Sequence, residues 1–169
     1  MSPSYAHGFD AVRAAIAERL EGAGIEYRHV VHAPTRTSAE SAAARGEPIE
    51  IGGKSLLLKV DDTFRTFVLS AALALDSNAV RRHFGTKRTR FATPEELAEL
   101  SGLVPGCVPP FGEPILPWPL HLDASILDND RIAFNAGSLE HSFILSVADY
   151  RRIAEPVEVG RFSKSAAGR

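Results

Sequence analysis

The 169-residue chain has little of what several classes of protein depend on. It contains a single cysteine, Cys107, which excludes an intramolecular disulfide framework and a zinc site built from several cysteines. No apolar run approaches the roughly 20 residues that span a membrane, and the N-terminus lacks the charged and apolar regions of a signal peptide. We therefore predict a soluble, cytoplasmic protein with no membrane partner.

The chain also lacks an excess of charge of either sign. Its formal net charge is −2 at pH 7, so nothing attracts nucleic acid to the molecule as a whole, and an RNA partner has to be met by a local basic patch. With 44% hydrophobic and 24% charged residues, the length provides one full core and is short for two. We expect one domain over residues 1–162 and a disordered tail over residues 163–169.

Apolar spacing and turn residues predict short helices and strands in an irregular order. Helices are predicted over residues 8–21, from Thr37 to Gly46, from a Ser77 cap to Gly85, from Thr93 to Gly102, and from near Val147 onward. Strands are predicted over residues 27–31, 55–60, 64–70, 87–91, 120–123, 131–135 and 142–146. Because strands and helices do not alternate regularly, this order predicts an α+β fold around a curved mixed β-sheet or barrel flanked by short helices.

The segment Gly52-Gly53-Lys54-Ser55 places a lysine at the start of an apolar strand. A lysine beside two glycines favours an anion-facing site, because the glycines let backbone amides approach the same carboxylate or phosphate. The ordinary alternative is a solvated lysine after a Gly-Gly turn. The segment is not a phosphate-binding loop of the nucleotide-hydrolase type, since it lacks the earlier glycine and opens a strand rather than a helix.

Four segments of the chain together carry a family resemblance. They are Gly52-Gly53-Lys54-Ser55-Leu56-Leu57-Leu58-Lys59, Leu100-Ser101-Gly102, Gly106-Cys107-Val108-Pro109-Pro110-Phe111-Gly112 and Phe134-Asn135-Ala136-Gly137-Ser138. In this order they resemble the YbaK/EbsC family, which includes the editing domain inserted in bacterial prolyl-tRNA synthetase and its free-standing relatives. The resemblance spans roughly residues 25–155, and residues 132–137 and 148–154 resemble the YeaK-like subgroup.

The resemblance implies a trans-editing aminoacyl-tRNA deacylase, which hydrolyses the ester between a wrong amino acid and the terminal adenosine of a tRNA without a metal or other cofactor. By the same resemblance Lys54 is the essential side chain that holds the acceptor end, Gly106 opens the G-x-x-x-P loop that contacts the aminoacyl group, and His141 is the candidate catalytic histidine. The candidate substrate-binding residues are His32, Thr35, Ser55, Cys107, Pro110, Gly112, Gly137, Ser138 and Ser142.

The chemistry of such an ester agrees with these residue types. An aminoacyl ester is already activated, so the enzyme has mainly to place water, hold the ribose and stabilise the developing oxyanion. Backbone amides near Gly106 and Gly137 are candidates for the last task. Lys54 is expected to bind a phosphate or ribose rather than to act as a base, because an ordinary lysine is protonated near neutral pH. Serine, alanine and threonine are the preferred amino acids, from the subgroup resemblance.

The expected partner is mischarged tRNA, with an aminoacyl-tRNA synthetase as a second candidate and no DNA partner. Residues 81–90 contain five basic side chains and no acid, and this patch is a candidate for following the acceptor-stem phosphates. The five are Arg81, Arg82, Lys87, Arg88 and Arg90. The alternative interpretation is a solvated basic face.

Two rival functions stay open at the level of sequence. One is thiol hydrolysis, with Cys107 as nucleophile and His141 as base, against which a small buried apolar role for Cys107 competes. The other is a tRNA-binding or regulatory module of the same fold without catalytic activity. A shared metal site at His29 and His32 is disfavoured, because side chains three residues apart on a strand point to opposite faces.

Overall fold

The computed structural model describes residues 4–166 in five α-helices and ten strands. The helices are α1 (Phe9–Gly22), α2 (Ser38–Arg45), α3 (Ser77–Phe84), α4 (Pro94–Ser101) and α5 (Val147–Ala154). The strands are β1 (Arg28–Val31), β2 (Gly53–Val60), β3 (Thr63–Ser70), β4 (Leu73–Leu75), β5 (Thr89–Phe91), β6 (Leu120–Asp123), β7 (Arg131–Asn135), β8 (His141–Ser146), β9 (Glu158–Gly160) and β10 (Ser163–Ser165). Short 3-10 helices cover Ile49–Ile51 and Ala124–Asp128.

The strands form three sheets rather than one closed surface. The largest has the order β5-β2-β3-β6-β9 and is mixed, because β3-β6 and β6-β9 are parallel while the other pairs are antiparallel. An antiparallel sheet of order β1-β8-β7 and a β10-β4 pair complete the set. The predicted α+β class is confirmed. The barrel alternative is wrong for the described part of the chain, which forms no closed barrel.

The first helix shows how the apolar pattern becomes packing. Val12, Ile16 and Leu20 recur on one face of α1 and are fully buried, and each such side chain stabilises the fold by roughly 1.5–3 kcal/mol relative to exposure. They pack in the main core with aromatic side chains of the proline-rich loop between α4 and β6 and of the β1-β8-β7 sheet. Trp118 and Phe134 are among these side chains. This core fixes α1 and β7 relative to each other.

The caps of the short helices are mostly where the sequence predicts them. Thr93 and Glu96 form the predicted capping box of α4, which satisfies two backbone N–H groups at once. The predicted Ser77 cap is wrong by one residue, because the Asp76 carboxylate accepts the hydrogen bond from the N–H of Ala79. None of the described helices is long and apolar enough to cross a membrane.

The disordered tail predicted from residue 163 is wrong where the structure describes it. Phe162 is buried in a second cluster of apolar side chains, which includes Phe67 and Leu69 of β3. Its N–H donates to Oδ1 of Asp123 at 2.6 Å. Ser163–Ser165 then pair with β4 as strand β10. The sequence did not indicate this three-residue strand, whose order comes from its long-range pairing with β4. Residues 167–169 lie outside the described residues.

The two glycines before Lys54 fix the position of the site. A Cβ on Gly52 would lie 2.8 Å from Cβ of Ala71, and a Cβ on Gly53 would lie 2.6 Å from Cδ1 of Ile132. Gly52 also forms a parallel bridge to Ala133 of β7. The glycines therefore bring β2 close against β7 and the end of β3, which gives both of them a role in the packing of the protein.

Candidate active site

An open cleft of about 200 Å³ lies where β2 begins, between α2, β7 and the loop that contains Gly106. This is smaller than the roughly 300–1,000 Å³ of pockets that enclose a drug-sized ligand, so the cleft suits a small group at the end of a larger molecule. The lining residues are Thr35, Arg36, Thr37, Ser38, Ser41, Arg45, Gly52, Gly53, Lys54, Ser55, Leu56, Ala71, Gly106, Val108 and Asn135.

The cleft is electropositive and rich in hydroxyl groups. Arg36, Arg45 and Lys54 contribute three cations, and no carboxylate occurs among the described residues that line it. Inside the cleft, hydroxyls of Thr35 and Ser41 are hydrogen-bonded to each other at 2.7 Å. A concave surface with this lining attracts an anion or a strongly polar ligand.

Lys54 lies at the edge of the cleft, as predicted from the sequence. It pairs with Leu69 in the β2-β3 ladder and is half-buried. Its Nζ donates a hydrogen bond to the backbone oxygen of Leu73 in β4. This bond gives the flexible lysine a defined position at the cleft.

Arg45 is a residue of the cleft that the sequence did not single out. Its side chain is only 6% exposed, and it is held by two neutral acceptors: Nε donates to Oγ of Ser142 at 2.9 Å and Nη2 donates to Oδ1 of Asn135 at 3.0 Å. Burial lowers its pKa to about 10, so the guanidinium is still protonated at neutral pH. A cation is therefore fixed in the wall of the cleft.

A hydrogen-bond chain supports that cation. Nδ1 of His32 lies 2.9 Å from the backbone oxygen of Ala33, and because a carbonyl only accepts, Nδ1 carries the proton. Nε2 of the same ring lies 2.8 Å from Oγ of Ser142, and this hydroxyl donates a hydrogen bond to Oδ1 of Asn135 at 3.3 Å. Nδ2 of Asn135 donates to the backbone oxygen of Gly106 at 2.7 Å, so the same amide that orients Arg45 also anchors the Gly106 loop.

Six of the predicted site residues either line the cleft or lie directly behind its wall. Lys54, Ser55, Gly106 and Thr35 line the cleft directly. Gly106 has φ +93°, a conformation that favours glycine, and Oγ of Ser55 is buried with no hydrogen-bond partner among the described residues. His32 and Ser142 do not line the cleft but lie behind it, where they position Arg45.

The structure does not bring His141 into the cleft, contrary to its predicted catalytic role. Side chains alternate along β8, and Ser142 faces Arg45, so His141 lies on the opposite face. There its Nδ1 is 2.8 Å from Nε2 of His29. Burial, with added contributions from the positive charges of Arg13 and His29, lowers the pKa of His141. His141 is not among the residues that line the cleft, and its catalytic role stays a prediction.

The backbone role predicted for Gly137 and Ser138 is also not supported. Gly137 packs against α1, where a Cβ would lie 2.9 Å from Cγ1 of Val12. Oγ of Ser138 accepts a hydrogen bond from the N–H of Glu140 at 3.0 Å, which stabilises the turn before β8. Both residues shape the connection between β7 and β8 and lie outside the lining of the cleft.

Three residues of the proline-rich loop are structural rather than ligand-facing. Cys107 is fully buried and its Sγ contacts the backbone of Val104; burial raises the pKa of its thiol. The backbone oxygen of Pro110 accepts a hydrogen bond from the Tyr150 hydroxyl at 2.6 Å. A Cβ on Gly112 would lie 2.4 Å from the backbone oxygen of Trp118, so this glycine permits close packing of the loop.

The basic patch predicted at residues 81–90 is partly neutralised. Arg90 donates to both carboxylate oxygens of Glu96, at 2.8 and 2.9 Å, and Arg88 pairs with Asp62 at 3.2 Å. Lys87, Arg88 and Arg90 line a surface groove with Lys59, whereas Arg81 and Arg82 are on α3. Because Arg90 pairs with Lys59 in the sheet, the groove lies about 17 Å along β2 from Lys54.

No group of three or more His, Cys, Asp or Glu side chains that could hold a metal ion occurs within residues 4–166. The residues that meet at the cleft are instead cations, hydroxyls, an amide and glycine backbone. The chain is therefore an α+β domain with an electropositive cleft at the start of β2, and the lining of that cleft suits a polar or anionic group.

Residues 32–153 match the aminoacyl-tRNA editing domain family, and the chain belongs to that family. It is 37% identical over 153 residues to the multifunctional Ser/Thr-tRNA deacylase ProXp-y of Escherichia coli strain K12, covering 87% of this chain and 90% of that protein. This confirms the resemblance found in the sequence.

Two further proteins are similar to this chain, one in sequence and one in structure. A proline–tRNA ligase of Shouchella clausii is 28% identical over 109 residues, which cover 64% of this chain and 19% of the ligase. A crystal structure described as a candidate trans-editing enzyme for prolyl tRNA synthetase is 27% identical with a TM-score of 0.77, covering 91% of this chain and 98% of that one. The editing-domain fold predicted from the sequence is therefore confirmed.

Proposed function

We propose that this chain is a trans-acting aminoacyl-tRNA deacylase that hydrolyses the ester between a small amino acid, such as serine, threonine or alanine, and the terminal adenosine of a mischarged tRNA. The observation that carries the proposal is the electropositive cleft at Lys54, which is built from segments that the chain shares with its family. The identity to a protein named as a Ser/Thr-tRNA deacylase supports the same reaction and substrate class.

The size and lining of the cleft suit this substrate. A volume of about 200 Å³ accommodates a small aminoacyl group and not the whole adenosine, so the tRNA would lie across the opening. Hydroxyls of Thr35 and Ser41 offer hydrogen bonds to the hydroxyl of a serine or threonine side chain. A methyl or hydroxyl difference is worth about 1–3 kcal/mol in such a pocket, which limits the selectivity expected among small amino acids.

Within this proposal Lys54 binds a phosphate or ribose oxygen of the acceptor end. Its Nζ is positioned by the backbone oxygen of Leu73, and a protonated lysine is a point charge suited to phosphate. Gly106 presents backbone to the ester, with its carbonyl oxygen fixed by Asn135. The attacking water is then activated by the ribose hydroxyl next to the ester, so the chemistry needs no strong protein base.

The partners follow from the reaction. Mischarged tRNA is the substrate, and the groove at Lys87 is the proposed contact for its acceptor stem. A synthetase is a second candidate partner, since one structural relative is described as a candidate trans-editing enzyme for prolyl tRNA synthetase.

Release of labelled amino acid from Ser-, Thr-, Ala-, Cys- and Pro-tRNA tests the proposal. We expect the wild type to turn over one or two of the small esters, and Lys54→Ala to lower kcat/KM roughly 10- to 100-fold, the value of a charged hydrogen bond of about 1.5–3 kcal/mol. Lys164→Ala is the matched control, because Lys164 is exposed on β10 and is not among the residues that line the cleft. Binding of charged tRNA without turnover of any ester would favour the non-catalytic tRNA-binding module instead.

A further inference from the structure

The guanidinium of Arg45 is a buried cation without a buried anion to balance it. Across residues 4–166 it forms no ion pair with a carboxylate, and its partners Ser142 and Asn135 are neutral. Taking a charge out of water without an opposite charge is costly. The cost of burying Arg45 in the wall of the cleft therefore points to a functional role for its charge rather than to a contribution to stability.

One nitrogen of the Arg45 guanidinium, Nη1, takes no part in the hydrogen bonds that hold this side chain in the wall of the cleft. Nε and Nη2 are held by Ser142 and Asn135 at 2.9 and 3.0 Å, whereas Nη1 has no hydrogen bond to any part of the chain that the structure describes. Nη1 lies beside Gly52, where a Cβ would be 3.7 Å away. Glycine at that position therefore keeps the approach to Nη1 open at the start of β2.

From this geometry we propose that Arg45 is a catalytic residue of the deacylase reaction, which donates from Nη1 to the ester carbonyl oxygen and stabilises the negative charge that develops there. The proposal rests on the function proposed above. Because two of its nitrogens are already fixed, the guanidinium reorganises little when the charge appears, which is the condition under which such a donor lowers a barrier most.

The step balances with water as the only co-reactant. The water oxygen forms a bond to the carbonyl carbon, and the π electron pair of the C=O bond moves onto the carbonyl oxygen, beside Arg45. When this pair returns, the ester C–O bond breaks and the ribose oxygen takes the proton that the water loses. The products are the free amino acid and the tRNA hydroxyl, and Arg45 keeps its proton throughout.

Arg45 and Lys54 then have separable roles. A phosphate carries its charge before and after the reaction, so a group that binds it affects binding of the tRNA. The carbonyl oxygen becomes negative only in the transition state, so a group that stabilises it affects the rate of the bound complex. Single-turnover hydrolysis at saturating enzyme, measured with the Kd for uncharged tRNA, separates the two.

The experiment compares Arg45→Gln and Arg45→Lys with wild type on Ser-tRNA and Thr-tRNA. We expect Arg45→Gln to lower the single-turnover rate by about 10²–10³-fold, as for removal of one oxyanion donor, with Kd for uncharged tRNA changed less than twofold. Arg45→Lys keeps the charge without the fork geometry and should fall between the two. Arg152→Gln, at an exposed ion pair on α5, is the matched control and should behave as wild type.

Other results overturn the proposal. A weaker Kd with an unchanged saturated rate would make Arg45 a phosphate-binding residue, and an unchanged rate and Kd would make it structural. If Arg45→Gln does not fold, Ser142→Ala removes one acceptor of the guanidinium while keeping its charge; a saturated rate equal to that of wild type would then contradict the proposal. Wild type that is inactive on every ester overturns the proposed function itself, whereas active wild type with active Arg45→Gln overturns this inference alone.

Discussion

At the scale of single residues, Cys107 decides between two kinds of hydrolase. It belongs to the loop that borders the cleft, yet its Sγ is hydrogen-bonded to the backbone of Val104 and its side chain is fully buried. His141, the base it would need, lies on the face of β8 away from the cleft and is paired with His29. A thiol in this position packs as a small apolar group.

We therefore predict that Cys107 is unreactive in the folded protein. Burial raises the pKa of its thiol, so little thiolate forms at neutral pH and the thiolate is the reactive species. Iodoacetamide at pH 7.5 should label Cys107 slowly in the native protein and rapidly in 6 M guanidinium chloride, as followed by mass spectrometry. Cys107→Ala should retain hydrolysis of the aminoacyl ester, and a complete loss of turnover in a folded Cys107→Ala variant would restore the thiol mechanism.

Arg45 shows which functional residues a sequence conceals. In the sequence it is a basic residue in the last turn of an alanine-rich helix, just before Gly46, where a cation ordinarily complements the helix dipole at the surface. Its burial depends on Ser142 and Asn135, some 90 residues further along the chain. Lys54 could be predicted because two glycines and an apolar strand mark it locally, whereas the partners of Arg45 exist only after folding.

At the scale of elements, long or well-capped segments could be predicted, whereas of the three-residue strands only β5 was, inside the strand predicted over residues 87–91. The helix α1 has its own apolar stripe and α4 has its own capping box, so each is specified within its own sequence. The strands β4, β9 and β10 have at most one buried residue each. They exist because β10 pairs with β4 and β9 extends the large sheet beside β6.

The start of α4 gives a pH-dependent prediction. Two hydrogen bonds from Arg90 and one from the N–H of Thr93 hold the pKa of Glu96 at about 2, below its ordinary value of 4.5. A lowered pKa means that the carboxylate stabilises the folded state above about pH 4.5 and that this stabilisation is lost as the pH falls toward 2. Glu96→Gln keeps an acceptor for the capping box and removes only the charge.

We expect the free energy of unfolding of wild type to exceed that of Glu96→Gln at pH 6 and the difference to shrink as the pH falls from 4.5 to 2.5. Urea unfolding curves at several pH values, followed by circular dichroism, measure it. Glu95→Gln in the same turn of α4 is the control and should show a smaller dependence on pH. A difference between wild type and Glu96→Gln that stays constant over this range would mean that the Arg90 pair does not contribute through its charge.

At the scale of the whole molecule, the proposed function requires both the cleft and a surface that binds a long polyanion. The net charge of −2 provides no general attraction, so binding of tRNA depends on where basic side chains are left without acidic partners. Arg90 and Arg88 are paired with Glu96 and Asp62. Neither Lys87 nor Lys59 forms an ion pair within the described residues, but Lys59 is half-buried with its Nζ over the Phe64 ring. The exposed Lys87 is therefore the member of the groove best able to contact a phosphate.

We predict that Lys87→Ala weakens binding of tRNA and reduces its dependence on salt. Each lost phosphate contact lowers the slope of log K against log[salt] by roughly 0.7–0.9, and fluorescence anisotropy between 50 and 200 mM KCl measures that slope. Lys164→Ala, which removes an exposed lysine from β10, should leave it unchanged. Because the groove lies about 17 Å from Lys54 along β2, hydrolysis by saturating Lys87→Ala should remain near the wild-type rate. An unaltered salt slope would instead place the acceptor stem on another face of the molecule, with only its terminal nucleotide at the cleft.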